Sequence, residues 1–520
     1  MNCHFTFGRG PIWAAALCTL GLAAPYAAQA DINIVGSTHG QAYQGVANPV
    51  AGQAAASVPL SLCDAGGMPE RYQNQANLVD PNGPPPPNQI LIPAGNIVVW
   101  RCTRGGVPNF LFRYTGGFSA MAYGNIKAPL NSPASMFTSI VPGGAGCAAE
   151  PGGNPKTDPG TGRQYNSFIN CSQIVQVTAN FATSDTNGPA FQPTMCDQSG
   201  TCAQTILNTG VTAFPITATA FSVIVGNGVQ KCDPTTKAAA GKISLTRVQV
   251  EAIYSGAIAS WNQLGYCVYP VAPLNPADGS LGAGAGDMSP IGTPFNAAID
   301  QSIVTCSRPV DAGTRIVYDA VFQKDVTQIT TGTIGPPFSG DFNYLAPTVA
   351  DGLACVQGRS AAPASPANMN AITYNRADEA ASPLVFGLGN VGRMRGGYPV
   401  AVDGVLPSNY LAPAVLNNPT AQERQNSQKA FRCGQYLFWA DWVGIQRNTP
   451  DANQALWNQY IAGIANLLPR TQIGYFHARN LRPPAGGPAV NSEMFVQKAN
   501  TKGPIQFNAT DNTSGALNCR

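Results

Sequence analysis

Residues 243–265 read ISLTRVQVEAIYSGAIASWNQLG and stand apart from the chain around them. Elsewhere Gly, Pro, Ala, Asn and Thr dominate and charged residues are only 11% of the sequence. This stretch instead carries a helix start, an amphipathic face and a stop. Thr246 with Gln249 three residues on predicts a capping box, in which the hydroxyl takes one orphan backbone N–H and the amide side chain takes another. Val250, Ile253, Tyr254, Ala257 and Ile258 recur at helical spacing and place apolar side chains on one face. Arg247 and Glu251, four apart on the other face, form a minor pair in the less favourable order. Gly256 ends the helix and Trp261 anchors the turn after it. Taken alone, such periodicity predicts a packed surface helix.

The first thirty residues read as an export signal. Arg9 supplies a weak positive region, Pro11 to Ala24 an apolar stretch, and Ala28-Gln29-Ala30 a small-x-small site, so cleavage is expected after Ala30 and the mature chain at Asp31. The apolar stretch is shorter than the roughly 20 residues that span a bilayer. Leu17 directly before Cys18 is a poor lipoprotein signal. The expected location is periplasmic or secreted.

Of the 14 cysteines, Cys3 and Cys18 leave with the signal. The remaining even number, widely spread in an exported chain, predicts disulfides. No CxxC pair occurs, which argues against a zinc ribbon, and no metal site or cofactor is expected. Cys196 and Cys202 could close a small loop around DQSGT; the other pairings stay open. The formal charge of +3, thinly spread over 520 residues, argues against nucleic acid or an anionic membrane as the main partner. A monomer is expected.

About 490 residues remain after the signal, enough for two lobes. Strand signals run through Ile32–Val35, Ile97–Trp100, Ile174–Val177, Phe214–Ala218 and Phe221–Val225. Helical signals run through the opening stretch, Arg315–Gln323, Ala421–Ile445 and Asn453–Leu467. Their alternation predicts an α/β fold with a largely parallel sheet. Loop-like insertions at Pro81–Asn88, Gly143–Arg163, Asn275–Phe295 and Arg359–Asn368 are expected on the surface, held by nearby cysteines.

The order Leu245-Thr246, Gln249, Ile253-Tyr254-Ser255-Gly256, Ile258, Trp261, Leu264 resembles the signature helix of the phosphate-type periplasmic substrate-binding proteins of ABC transporters. Asp31-Ile32-Asn33 is similar to the start of the DING phosphate-binding proteins of the same superfamily. The resemblance implies a type II periplasmic-binding fold: two α/β lobes joined by two crossing strands. Lobe 1 would comprise residues 31–220 with 400–520, and lobe 2 residues 221–399. The first crossing would lie near Phe221–Val225, with Asn227 following, and the return near Tyr398–Val405. A small oxyanion would be captured between the lobes and passed to an inner-membrane ABC permease.

An oxyanion binder needs helix-start N–H groups, short hydroxyls, a guanidinium and often one carboxylate that accepts the ligand's proton. By resemblance, four segments supply them. In Gly36-Ser37-Thr38-His39-Gly40, Thr38 matches the first hydroxyl; a capped turn is the alternative. In Tyr114 to Met121, Ser119 is the hydroxyl. In Phe181-Ala182-Thr183-Ser184-Asp185, Asp185 is the carboxylate and Ser184 its neighbour, with a plain Ser-Asp-Thr-Asn turn as the alternative. In Ser307 to Thr314, Arg308 would grip two ligand oxygens while the Gly313 and Thr314 amides and the Thr314 hydroxyl donate at a helix start; the alternative is that Arg308 pairs with Asp311.

Departures from the family pattern bear on the ligand. Ala312 stands where a Ser is usual, His39 replaces an apolar residue, Phe118 interrupts the second loop, and Pro309-Val310 displaces an acidic position. A lost hydrogen bond to a charged ligand costs about 1.5–3 kcal/mol, roughly one to two decades of affinity. Three functions fit this pattern to different degrees: a solute-binding protein for phosphate or a related oxyanion first, a surface or secreted interaction protein with altered or lost ligand binding second, and a phosphatase last. Only His39 and His477 remain in the mature chain, and no HExxH or GxSxG motif occurs, so no nucleophile is paired with a base. The expectation is a protein that is not an enzyme and has no catalytic residues.

Overall fold

The structure is a computed structural model. It describes residues 31–37, 40, 43–44, 57–74, 78–79, 91–92, 96–158, 161–191, 204–226, 228–270, 295–322, 343–346, 352, 355–356, 370–376, 397–406, 430, 433–466, 475–477, 496–498 and 505–507. The fold is α/β, as expected, and is organised, among the described residues, around a sheet of 16 strands.

Thirteen of these strands frame the molecule: β1 (Ile32–Ser37), β2 (Glu70–Gln73), β3 (Ile97–Arg104), β4 (Val107–Gly117), β5 (Gln164–Ile169), β6 (Phe181–Ser184), β7 (Val211–Gly226), β8 (Ser244–Leu245), β9 (Val304–Ser307), β10 (Asn343–Leu345), β11 (Ala371–Arg376), β12 (Gly397–Val402) and β13 (Trp439–Arg447). Among the described residues the helices of eight or more residues are α1 (Ser119–Lys127), α2 (Arg247–Tyr254), α3 (Gly313–Phe322) and α4 (Gln454–Asn466). Along the sheet the order is β10, β9, β11, β7, β13, β6, β1, β4, β3, β2, β5, ending on a short strand at Ala148–Ala149. Two other short strands, Lys156–Thr157 and Tyr475–His477, and the pair β12 and β8 attach beside this path.

Parallel pairing is confined to parts of the sheet. β1 runs parallel to β4 and β6, and β9 runs parallel to β10 and β11. By contrast, β3 and β4 form an antiparallel pair, and β13 runs antiparallel to both β6 and β7. The sheet is therefore mixed rather than largely parallel. A tight connection such as Gly105-Gly106 leaves no room for the crossover that parallel neighbours need. At that turn the Asp64 carboxylate accepts the N–H groups of Gly105 and Gly106, both at 2.8 Å.

β7 joins the two parts of the sheet. Val211–Ala220 pairs with β13, whereas Phe221–Val225 pairs with β11 and Val223–Gly226 with β12. The two strand signals at Phe214–Ala218 and Phe221–Val225 thus belong to one strand. Pro215 sits at a register shift between Pro215 and Thr217, where a residue without an N–H is tolerated. The changeover is pinned by Phe221 N–H to the Phe438 carbonyl at 2.8 Å and by the Tyr436 hydroxyl to the Phe221 carbonyl at 2.5 Å.

The helix expected over Ala421–Ile445 is corrected: residues 439–447 are strand β13, and 421–429 lie outside the described residues. Trp439, Trp442, Val443 and Ile445 are buried, and these aromatic and β-branched side chains suit a strand covered on both faces. The other helices stand close to expectation. α4 buries Trp457, Tyr460, Ile461 and Ile464 along one stripe.

α2 has both halves of its capping box: Gln249 N–H donates to Thr246 Oγ1 at 3.1 Å, and Thr246 N–H donates to Gln249 Oε1 at 2.8 Å. Val250, Ile253 and Tyr254 are buried. Ala257 is exposed and Ile258 half-buried, because the helix stops at Tyr254 and Gly256 takes φ +76°, a conformation open to glycine. Trp261 is fully buried and its indole N–H donates to the Asn370 carbonyl at 2.8 Å.

Among the described residues the pairs Cys63–Cys102, Cys147–Cys171, Cys232–Cys267 and Cys306–Cys355 are disulfide-bonded. Cys147–Cys171 straps the Gly143–Arg163 loop, as expected of an insertion held by cysteines. Cys196, Cys202, Pro81–Asn88, Arg359–Asn368 and most of Asn275–Phe295 lie outside the described residues. Among the described residues no helix is long and apolar enough to cross a membrane.

Candidate functional site

Parallel strands deliver their carboxyl ends to one edge, where open α/β sheets place ligands. Gly36 pairs with Thr183, and Ser37 pairs with Gly117, so β1, β4 and β6 end side by side. Tyr114 braces this edge, with its hydroxyl bonded to the Ser37 carbonyl and lying 3.0 Å from Thr183 Oγ1. The Trp442 indole N–H adds a bond to Ser37 Oγ at 3.2 Å. Beyond β4, Phe118 caps α1 and Ser119 opens it. Beyond β6 comes Asp185.

Ser119 and Asp185 are bonded to each other: the Asp185 N–H donates to Ser119 Oγ at 3.0 Å. Both are buried, at 1% and 5% exposure. The Ser184 hydroxyl is engaged within its own turn. It donates to the Thr186 carbonyl at 2.6 Å and accepts the Thr186 N–H at 3.2 Å, so it shapes the turn that presents Asp185. Tyr123, on α1, accepts the Gly188 N–H at 2.7 Å and ties that turn to the helix.

The other side of the site comes from β9. Arg308 follows the strand and is 5% exposed; its Nη1 donates to the Ala346 carbonyl at 2.9 Å and its backbone N–H to the Tyr374 hydroxyl at 3.2 Å. Five residues later Gly313 opens α3, with Thr314 buried behind it. The N-termini of α1 and α3 touch. Ala120 N–H donates to the Asp311 carbonyl at 3.3 Å. A Cβ on Gly313 would stand 2.4 Å from Ser119 Oγ, 2.6 Å from Asp185 Cβ and 3.0 Å from Asp185 Oδ2. Around them Val310 and Ile316 pack in one cluster with Val35, Ala122, Tyr123 and Ile126.

Three residues predicted from separate segments, Ser119, Asp185 and Gly313, therefore meet at one place, 66 and 128 residues apart in sequence. Arg308 and Thr314 are buried on the flanking segment. Thr38 and His39 lie outside the described residues. Two residues that shape the site carry no sequence motif: Tyr123 and Tyr374. Tyr374 is an aromatic on a strand, 66 positions from the backbone it contacts, and local spacing gives no signal for that. Among the described residues no group of three or more His, Cys, Asp or Glu is placed to hold a metal.

No protein-family model and no curated protein matches the sequence. Among solved structures, the chain is similar to a candidate phosphate ABC transporter substrate-binding protein with bound phosphate from Clostridium perfringens, at 14% identity and TM-score 0.29, over 51% of this chain and 72% of that one. It is also similar to PstS from Borrelia burgdorferi, at 12% identity and TM-score 0.27, over 57% and 78% of the two chains. An ABC-type phosphate transport receptor from Vibrio cholerae gives 12% identity and TM-score 0.27, over 57% and 79%. At these values the functional reading rests on the residues themselves.

Proposed function

We propose that the protein is an exported solute-binding protein that captures phosphate or a related small oxyanion between two lobes, 31–220 with 400–520 and 221–399. It is not an enzyme on this reading, acts as a monomer, and passes its ligand to an ABC permease if it stays in the periplasm. The observation that carries the reading is the meeting of Ser119, Asp185 and Gly313 at the facing N-termini of α1 and α3. Helix N-termini attract anions through unpaired N–H groups and the helix dipole. Ser119, Thr38 and Thr314 would add hydroxyls, Ser184 would fix the turn beside them, Arg308 would supply the balancing charge, and Asp185 would accept a hydrogen bond from the ligand's proton. Because Ala120 N–H is bonded to Asp311, an oxyanion entering here requires that α1–α3 contact to part.

The carboxylate makes the reading testable. Phosphate near pH 7 carries a proton it can donate to Asp185, and sulfate carries none. Titration calorimetry is expected to show phosphate binding at least about 100-fold tighter than sulfate, since a carboxylate facing an unprotonated anion leaves two charges unpaired. Asp185→Asn is expected to narrow that gap by at least tenfold, on the same principle. Equal binding of the two anions by the unaltered protein contradicts the assignment of Asp185.

One observation favours a second reading, a surface or secreted interaction protein with altered or lost ligand binding. Donors that would serve an oxyanion are already used within the chain: Ala120 N–H by Asp311 and Asp185 N–H by Ser119. Failure of phosphate, sulfate, phosphonate and arsenate alike to bind selects that reading.

A further inference from the structure

The segment that presents Arg308 leaves the sheet before the arginine is reached. β9 pairs with β11 only at Val304 and Thr305, and with β10 from Thr305 to Ser307. On the β11 side, past Thr305, side chains replace the ladder. Thr373 Oγ1 donates to the Cys306 carbonyl at 3.2 Å. The Tyr254 hydroxyl lies 3.4 Å from the same carbonyl and 3.4 Å from that of Ile372. The Tyr374 hydroxyl accepts the Arg308 N–H at 3.2 Å.

These tyrosines are locked together. Tyr254 comes from α2, Tyr318 from α3 and Tyr374 from β11, with ring centroids 4.8 Å apart for Tyr254 and Tyr318, 4.4 Å for Tyr318 and Tyr374, and 5.5 Å for Tyr254 and Tyr374. All three are at most 3% exposed. Beside them Arg315 Nε bonds both oxygens of Asp319 at 2.8 and 2.9 Å. Burial pushes the Tyr374 hydroxyl up to about 12, so it stays neutral at physiological pH. A neutral hydroxyl in a fixed ring can hold a backbone N–H in one place.

We propose that Tyr374, seconded by Tyr254 of the signature helix, is a positioning residue for Arg308, setting the backbone from which its guanidinium reaches a bound oxyanion. The inference rests on the oxyanion reading for its purpose, but the placement itself can be read without ligand. The helix that marks the sequence would thus act on the site at one remove, through the tyrosine at its last turn.

The experiment uses the full mature chain with Tyr374→Phe, Tyr254→Phe, Arg308→Lys and the Tyr374→Phe/Arg308→Lys pair. Hydrogen exchange without ligand is expected to show the Arg308 amide exchanging at least about tenfold faster in Tyr374→Phe, because its acceptor is gone. Calorimetry with inorganic phosphate is expected to show about tenfold weaker binding in Tyr374→Phe, a smaller loss in Tyr254→Phe, and little further loss when Tyr374→Phe is added to Arg308→Lys. Unchanged exchange at Arg308 overturns the inference, and so does a Tyr374→Phe loss that is fully additive with Arg308→Lys. If the unaltered protein binds no oxyanion, the functional reading fails, and the exchange result alone decides the placement.

Discussion

Trp261→Ala is expected to lower the unfolding free energy by about 3–5 kcal/mol, the range for truncating a large buried aromatic. Trp261 is fully enclosed in the core cluster that contains Val223, Val225, Val250, Ile253 and Tyr254. Its removal empties a large volume next to β7 and deprives the Asn370 carbonyl of its 2.8 Å partner. Val248 lies in α2 of the same stretch and is 57% exposed, so Val248→Ala serves as the control, with a change within about 0.5 kcal/mol. Urea denaturation of the two variants checks both. A Trp261→Ala loss under about 1 kcal/mol contradicts a packing role for Trp261.

Gly313→Ala is the second large effect, and it acts on the site. The new methyl would stand 2.4 Å from Ser119 Oγ and 2.6 Å from Asp185 Cβ. The serine can rotate, but the aspartate Cβ moves only with its backbone. The expected cost in stability is about 1–3 kcal/mol, as for overpacking. Since the methyl would fill space beside Ser119 and Asp185 that the proposed oxyanion needs, phosphate affinity is expected to fall by roughly one to two decades, the worth of one hydrogen bond to a charged ligand. Calorimetry together with thermal unfolding reads both numbers. Unchanged phosphate affinity would show that Gly313 is not at the ligand.

The parts legible in the sequence were those decided locally. The Thr246–Gln249 cap, the stop at Gly256, the burial of Trp261 and the helices at Gly313 and Gln454 each follow from residues within a few positions. Strand sense was not legible, because whether β13 runs parallel or antiparallel to β6 depends on residues more than 250 positions away. Trp439 to Ile445 has apolar spacing that fits a helix as readily as a strand, and pairing with β7 decides it. At the site, Ser119, Asp185 and Gly313 could be named from loop motifs. Their mutual contact, the use of the Ser184 hydroxyl in its own turn, and the hold of Tyr374 on Arg308 exist only once the sheet brings distant segments together.

The central claim is that a small oxyanion is held between the Arg308 segment and the N-termini of α1 and α3. Thermal unfolding of the protein with and without millimolar phosphate, repeated with Arg308→Ala, tests it most directly. A ligand present at a thousand times its Kd adds about 4 kcal/mol to stability. The account predicts a clear rise in melting temperature for the unaltered protein and the loss of most of that rise in Arg308→Ala. No rise with phosphate, sulfate, phosphonate or arsenate, or a rise that Arg308→Ala leaves intact, would contradict it.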